Sequence, residues 1–226
     1  MDVEIQTDAA RLVRRLRQAG LRITVAESCT GGLLASTLTD IAGASDWFDQ
    51  SWVTYANEAK TRVLGVNQET LERKGAVSAE VAIQMASGAL ARSTADIALS
   101  VTGIAGPGNV SDKKLGLVYV GAASGDWKTA KRTIIGGTRA ENKLGFVHFA
   151  IRVAIENMDA AVKRKEVRAA EDEKQREAIE AEREARQINR AAKEAGTRLD
   201  TAWQETAWSP GNEPNPDEDL GDDVEW

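Results

Sequence analysis

Three short stretches concentrate the residue types that can attack, polarise or hold a ligand. The first, Ala-Glu-Ser-Cys-Thr-Gly-Gly at residues 26–32, follows an apolar run at 22–26. A strand that feeds a glycine-containing loop and then a helix aims backbone N–H groups at an anion, which makes Thr30, Gly31 and Gly32 a candidate phosphate cradle. A turn that merely redirects the chain is the alternative. Cys29 is a weaker candidate nucleophile because no evident base accompanies it, and a small buried role suits it better. The second stretch, residues 44–60, offers hydroxyls at Ser45, Ser51, Thr54 and Tyr55 and ends on Lys60, three residues past Asn57, the expected helix cap. A first-turn lysine faces the positive end of the helix dipole, and burial would lower its pKa further, with Glu58 able to offset this. A neutral lysine can act as general base for a serine, whereas an ordinary surface lysine does nothing chemical. The third stretch, Ser-Val-Thr-Gly-Ile-Ala-Gly-Pro at 100–107, again ends a strand in a glycine-rich, hydroxyl-bearing loop. In open α/β sheets ligands bind outside the carboxyl ends of the strands, so the three loops are expected to converge on one pocket.

Composition narrows the chemistry. The 226 residues include one histidine, His148, and one cysteine, so an internal disulfide is excluded and a histidine-based triad must use His148. One histidine and one cysteine do not build a zinc site, and no metal or cofactor is expected. The net charge of −6 is uneven: residues 1–158 carry 18 basic and 16 acidic side chains, whereas 199–226 carry nine acids and no base. No basic stripe points to nucleic acid. Without a signal peptide or a long apolar run the chain reads as soluble and cytoplasmic, with no membrane partner.

Periodicity supplies the frame for these loops. Ala9, Leu12, Val13 and Leu16 recur at helical spacing before Gly20, and Leu33, Leu34, Thr37, Leu38 and Ile41 do so before Gly43. Ser78 is the expected cap of a helix carrying Val81, Ala82, Met85, Ala89 and Leu90. Strands are predicted at 23–26, 52–56, 97–101, 115–123 and 130–135, and a last helix from Arg139. This alternation predicts an α/β fold: a three-layer α/β/α sandwich on a mostly parallel, mixed sheet, followed by a long charged helix and a disordered acidic tail. The expected domains are 1–158, a charged helical extension at 159–198, and a tail at 199–226 that holds all but one of the prolines and three of the six tryptophans. Val162, Val167, Ile179 and Ile188 keep no heptad, so a solvated helix is favoured over a coiled coil.

Taken together the three stretches resemble the CinA C-terminal domain family over about residues 8–158. The likeness rests on AESCTGG at 26–32, Gly43-Ala-Ser-Asp-Trp-Phe48, VTYANEAK at 53–60, LGV at 64–66, GAVS at 75–78 and TGIAGP at 102–107. Stand-alone members of that family, of the PncC type, hydrolyse nicotinamide mononucleotide to nicotinate mononucleotide and ammonia in pyridine nucleotide salvage, without a metal. The resemblance implies Ser45 as nucleophile, with Tyr55 and Lys60 completing the centre. It implies substrate binding by Glu27, Ser28, Thr30, Gly31, Gly32, Thr102, Gly103 and Arg139, the opening loop holding the nucleotide end. Three departures stand out: Ser51 replaces a usual glycine, the 108–116 loop is shorter and lacks a proline, and 141–146 loses a basic pattern. The second and third bear on the pocket rim and on specificity. A non-catalytic nucleotide-binding or protein-interaction protein is the competing expectation. A homo-oligomer, a small nucleotide ligand, and a protein partner for the acidic tail ending at Trp226 are also expected.

Overall fold

The computed structural model describes residues 2–107 and 113–206, with side chains described through residue 195. Helix α1 (Val3–Ala19) buries Ile5, Ala9, Leu12, Val13 and Leu16 along one face. Asp2 accepts the Glu4 N–H at its start, and Gly20 closes it at φ 63°, a left-handed conformation that costs glycine nothing. Strand β1 (Ile23–Glu27) is buried throughout, as a central strand covered on both faces must be. It pairs in parallel with β2 (Phe48–Val53) on one side and with β3 (Ile97–Gly103) on the other. β4 (Leu117–Ser124) and β5 (Lys128–Ile134) extend the sheet in antiparallel fashion, giving the order β2-β1-β3-β4-β5.

Alternation along the strands divides the core. Ile23, Val25, Leu99, Val101, Val118 and Val120 face α1, α2 (Leu33–Thr39) and the first part of α6 (Arg139–Thr206). The opposite face presents small residues, including Ala26, Ala98 and Ala123, to α3 (Asn57–Leu64), α4 (Gln68–Lys74) and α5 (Ala79–Ala91). Small side chains let α5 ride low on the sheet: Ser100 donates to the Ala82 carbonyl at 2.6 Å, and a Cβ on Gly121 would lie 2.2 Å from that oxygen. Ser78 caps α5 by accepting the Val81 N–H. This is the expected three-layer sandwich on a mixed sheet.

One strand differs in a way that matters for function. The β-rich look of Trp-Val-Thr-Tyr predicts a strand at 52–56, but β2 runs Phe48–Val53, in register from Ile23↔Phe48 to Glu27↔Val53. As an edge strand it has only half-buried and exposed residues, so its polar Asp49-Gln50-Ser51 centre is tolerated and leaves little hydrophobic signal. Residues 54–56 therefore leave the sheet, the cap of α3 is Ala56, and Asn57 is the first helical residue.

The compact unit that holds the sheet spans Met1–Arg164, and Lys165–Trp226 forms a second unit. The expected boundaries after 158 and 198 both fall inside α6, which continues to Thr206 and so into the segment expected to be disordered. Residues 207–226, with Trp208 and Trp226, lie outside the described residues. Beyond Lys165 the described side chains are exposed, and Arg186–Glu182 and Arg190–Glu194 pair at i,i+4 spacing, each worth a few tenths of a kcal/mol. Among the described residues no helix is long and apolar enough to cross a membrane.

The tightest helix contact yields a stability test. A Cβ on Gly88 of α5 would lie 1.8 Å from the Leu64 carbonyl oxygen at the end of α3, and backbone cannot step aside as a side chain can. Gly88→Ala is expected to cost about 1–3 kcal/mol despite its better helix propensity, lowering the midpoint of thermal unfolding followed by near-UV circular dichroism. An unchanged or raised midpoint would contradict this packing.

Candidate active site

The parallel half of the sheet delivers three loops to one edge. Hydrogen bonding runs past the strand ends: the Ser28 N–H donates to Val101 O at 3.0 Å, and the Thr54 N–H donates to Glu27 O at 2.8 Å. Residues 28, 54 and 102 are thereby held side by side. Ser28, Tyr55, Lys60, Thr102, Gly103 and Arg139 all line a cleft of about 470 Å³, a size suited to a small organic ligand.

The side chain of Lys60 in this cleft is almost fully buried, at 1% exposure. Its Nζ lies 3.0 Å from Thr54 O, 2.9 Å from Tyr55 O and 3.1 Å from Ser28 Oγ. Burial pushes its pKa down to about 8, and nearby Cys29 and Glu58 offset only part of that. A neutral amine has two N–H donors and one lone pair. The two carbonyls can only accept, so in the neutral amine they take the two N–H groups and leave the lone pair for the Ser28 hydroxyl. Below about pH 8 the ammonium predominates and donates to all three oxygens.

The rest of the cleft sets a few cationic and polar groups in a largely apolar wall that includes Leu71, Val77, Ile104 and Leu115. Arg139, the first residue of α6, donates to Tyr55 Oη at 2.6 Å and packs against Gly106, where a Cβ would come within 3.0 Å of the arginine side chain. The Thr102 hydroxyl is spent on Ala76 O at 2.8 Å, so its part in the site is to fix the wall. The basic side chains among the described residues of the lining are Lys60, Lys113 and Arg139, and Lys113 donates to the carbonyls of Lys74 and Val77. An excess of basic groups in the lining favours an anionic ligand.

Several expected site residues are placed elsewhere. Ser45 sits exposed on a 3₁₀ turn (Ala44–Asp46) ahead of β2, whereas Tyr55 and Lys60 follow it. A six-residue strand rises about 20 Å, so Ser45 and Lys60 lie at opposite ends of the sheet and the expected Ser45/Tyr55/Lys60 centre does not assemble. Ser28, expected only among the binding residues, is the hydroxyl that meets Lys60. The expected anion cradle is also corrected. The Glu27 carboxylate accepts the N–H groups of Gly32, Leu34 and Ala35 at 3.0, 3.0 and 2.8 Å, so the start of α2 is occupied by the chain's own anion. Glu27, Thr30, Gly31 and Gly32 do not line the cleft. His148 pairs with Asp8 at 2.9 Å and is likewise absent from the lining. The loop departure at 108–116 falls largely on residues outside those described. What sequence reasoning missed is the pair of carbonyls under Lys60, since no side-chain motif announces a backbone acceptor.

Comparison with known proteins places this architecture. The family model described as the CinA C-terminal domain matches residues 5–158. The chain is 52% identical over 156 residues to a CinA-like protein of Chlorobium phaeobacteroides, an alignment covering 66% of this chain and 36% of that protein. It is 47% identical over 143 residues to the nicotinamide-nucleotide amidohydrolase PncC of Enterobacter agglomerans, covering 62% of this chain and 87% of that one. A solved structure, the competence/damage inducible protein CihA from Agrobacterium tumefaciens, matches with a TM-score of 0.67 at 43% identity, over 69% of this chain and 96% of its own. The chain spans about a third of the length of several curated relatives.

Cys29 provides a check on how dry this region is. It is buried beside Ser28, and burial is the main cause pushing its thiol up to about 12. At pH 8 roughly one molecule in 10⁴ then carries the thiolate, so alkylation by iodoacetamide is expected to be at least about 100-fold slower in native than in denatured protein. Equal rates would contradict a buried, protonated thiol.

Proposed function

Since the chain belongs to the CinA C-terminal domain family, we propose that it is an amidohydrolase that converts the carboxamide of nicotinamide mononucleotide to a carboxylate, releasing ammonia. The observation that carries this reading is the buried Lys60 amine, whose Nζ lies 3.0 and 2.9 Å from Thr54 O and Tyr55 O and 3.1 Å from Ser28 Oγ. The PncC relative has nicotinamide-nucleotide amidohydrolase activity in its name. The positive charge of Arg139 suits the phosphate of a mononucleotide, a role that this reading moves away from the opening loop.

The chemistry follows from the geometry. Lys60 takes the Ser28 hydroxyl proton as Oγ bonds to the amide carbon, giving a tetrahedral oxyanion and an ammonium held on two carbonyls. Backbone N–H groups beside Ser28 and in the 103–106 turn are the donors assigned to that oxyanion. The Lys60 ammonium returns its proton to the amide nitrogen, the C–N bond breaks and ammonia leaves. Water then attacks the acyl-Ser28 ester, giving its proton to Lys60, and the ester C–O bond breaks as Ser28 Oγ regains a proton. Tyr55 Oη accepts from Arg139 and keeps its own O–H to donate to the substrate amide. Thr102 and Gly103 form the opposite wall.

Ammonia release from nicotinamide mononucleotide tests the assignment. Ser28→Ala is expected to lower kcat by on the order of 10³-fold or more, whereas Ser45→Ala stays within about twofold. The reverse order would return the nucleophile to Ser45, and binding without turnover by the wild type would remove the enzyme reading. Because the base is the unprotonated amine, kcat/KM is expected to rise with pH through about 8, the value to which burial brings Lys60. Lys60→Arg, permanently charged, is expected to be inactive across that range, and an active variant would show that the residue supplies charge alone.

A further inference from the structure

The reading of Ser28 as nucleophile leaves unexplained why a fully buried carboxylate stands immediately before it. Glu27 is 0% exposed and meets no cation: none of the salt bridges found among the described residues includes it. Burying an unpaired carboxylate is costly unless several donors converge on it. Here the donors are the N–H groups of Gly32, Leu34 and Ala35, all at the start of α2. A helix is normally capped by the side chain of its own cap residue, but Gly32 has none and takes φ 97°. The cap has been moved to the last residue of β1.

This displacement has a geometric result. Residues 28–31 lie between the Glu27 backbone, fixed in the sheet, and the α2 N–H groups, fixed to the Glu27 side chain. The segment has no slack, and it is closed further by the Gly31 N–H on Ser28 O at 3.1 Å and the Ser28 N–H on Val101 O. The Glu27 carbonyl meanwhile accepts from Thr54 N–H, and the carbonyl of that same Thr54 holds Lys60. One residue thus reaches both partners: its main chain locates the base, and its side chain locates the hydroxyl.

We propose that Glu27 is the positioning residue of the Ser28–Lys60 pair, acting on catalysis by holding the 28–32 turn and making no contact with substrate. The proposal rests on Ser28 being the nucleophile. It is tested on the full chain with Glu27→Gln, which keeps the shape but turns an amide N–H₂ toward N–H donors, and with Glu27→Asp, which keeps the charge one methylene short. The readouts are the rate at which a fluorophosphonate modifies Ser28, located by peptide mass spectrometry, together with kcat, KM and the acidic limb of the pH profile, all per folded molecule.

For Glu27→Gln the expected result is a fall of about tenfold or more in both the Ser28 modification rate and kcat. KM is expected within about threefold of wild type, and the limb is expected to stay near 8. If Glu27→Gln does not fold, Glu27→Asp carries the test with the same pattern at smaller amplitude. A variant that modifies Ser28 and turns over at wild-type rates per folded molecule, losing only thermal stability, would overturn the proposal while leaving Ser28 as nucleophile. Wild-type protein modified at another serine would overturn the nucleophile assignment, and this proposal with it.

Discussion

A primary amine kept out of water has to be given acceptors for its N–H groups, and that requirement organises the site. Lys60 meets it with the carbonyls of Thr54 and Tyr55, two successive residues where the chain leaves β2. Backbone carbonyls accept without adding negative charge, so they satisfy the amine without stabilising its protonated form as a carboxylate would. Burial then dominates and brings the amine down to about 8. The third direction of the nitrogen is left for Ser28, and a base is thereby aimed as well as tuned.

The sheet makes this aim reproducible. β1 is the central strand of the parallel half, and the residues just beyond its end inherit its register with both neighbours. Ser28 is hydrogen-bonded toward β3 and Glu27 toward the chain leaving β2, so the hydroxyl and the base are referred to one rigid frame. The small residues on the α3–α5 face serve the same end. They let α5 lie close to the sheet, and through Gly88 they seat the end of α3, the helix that carries Lys60. A substitution far from the cleft can therefore be felt at a 3.1 Å contact.

Much of the frame was legible because it rests on local rules. Gly20 in the left-handed region, Ser78 as a cap and the buried run beginning at Ile23 each follow from one residue's own preference. The convergence of the 28, 55–60 and 102–103 loops on one cleft also follows from the alternation of elements. The pairing inside the cleft was not legible. Ser45 is assigned by resemblance alone, and a strand anywhere between it and Lys60 separates the two. Ser28 meets Lys60 only through the parallel pairing of β1 with β2, which no local pattern in an edge strand announces. The opening loop departs from its expected role because a helix start can be filled from within. Its helix start does attract an anion, but the anion is Glu27, and a sequence pattern does not say whether a helix end is filled from outside or by the chain.

Catalysis by the Ser28–Lys60 pair turns on the protonation state of one nitrogen. The measurement that addresses it most directly is a heteronuclear NMR titration of the Lys60 side chain, assigned by its loss in Lys60→Arg. The expected result is a midpoint about 8, well below that of the exposed lysines in the same spectrum. A midpoint in the ordinary lysine range near 10.5 would leave Lys60 an ammonium throughout the range around pH 8 in which activity is expected to rise, donating to Ser28 Oγ and unable to accept its proton.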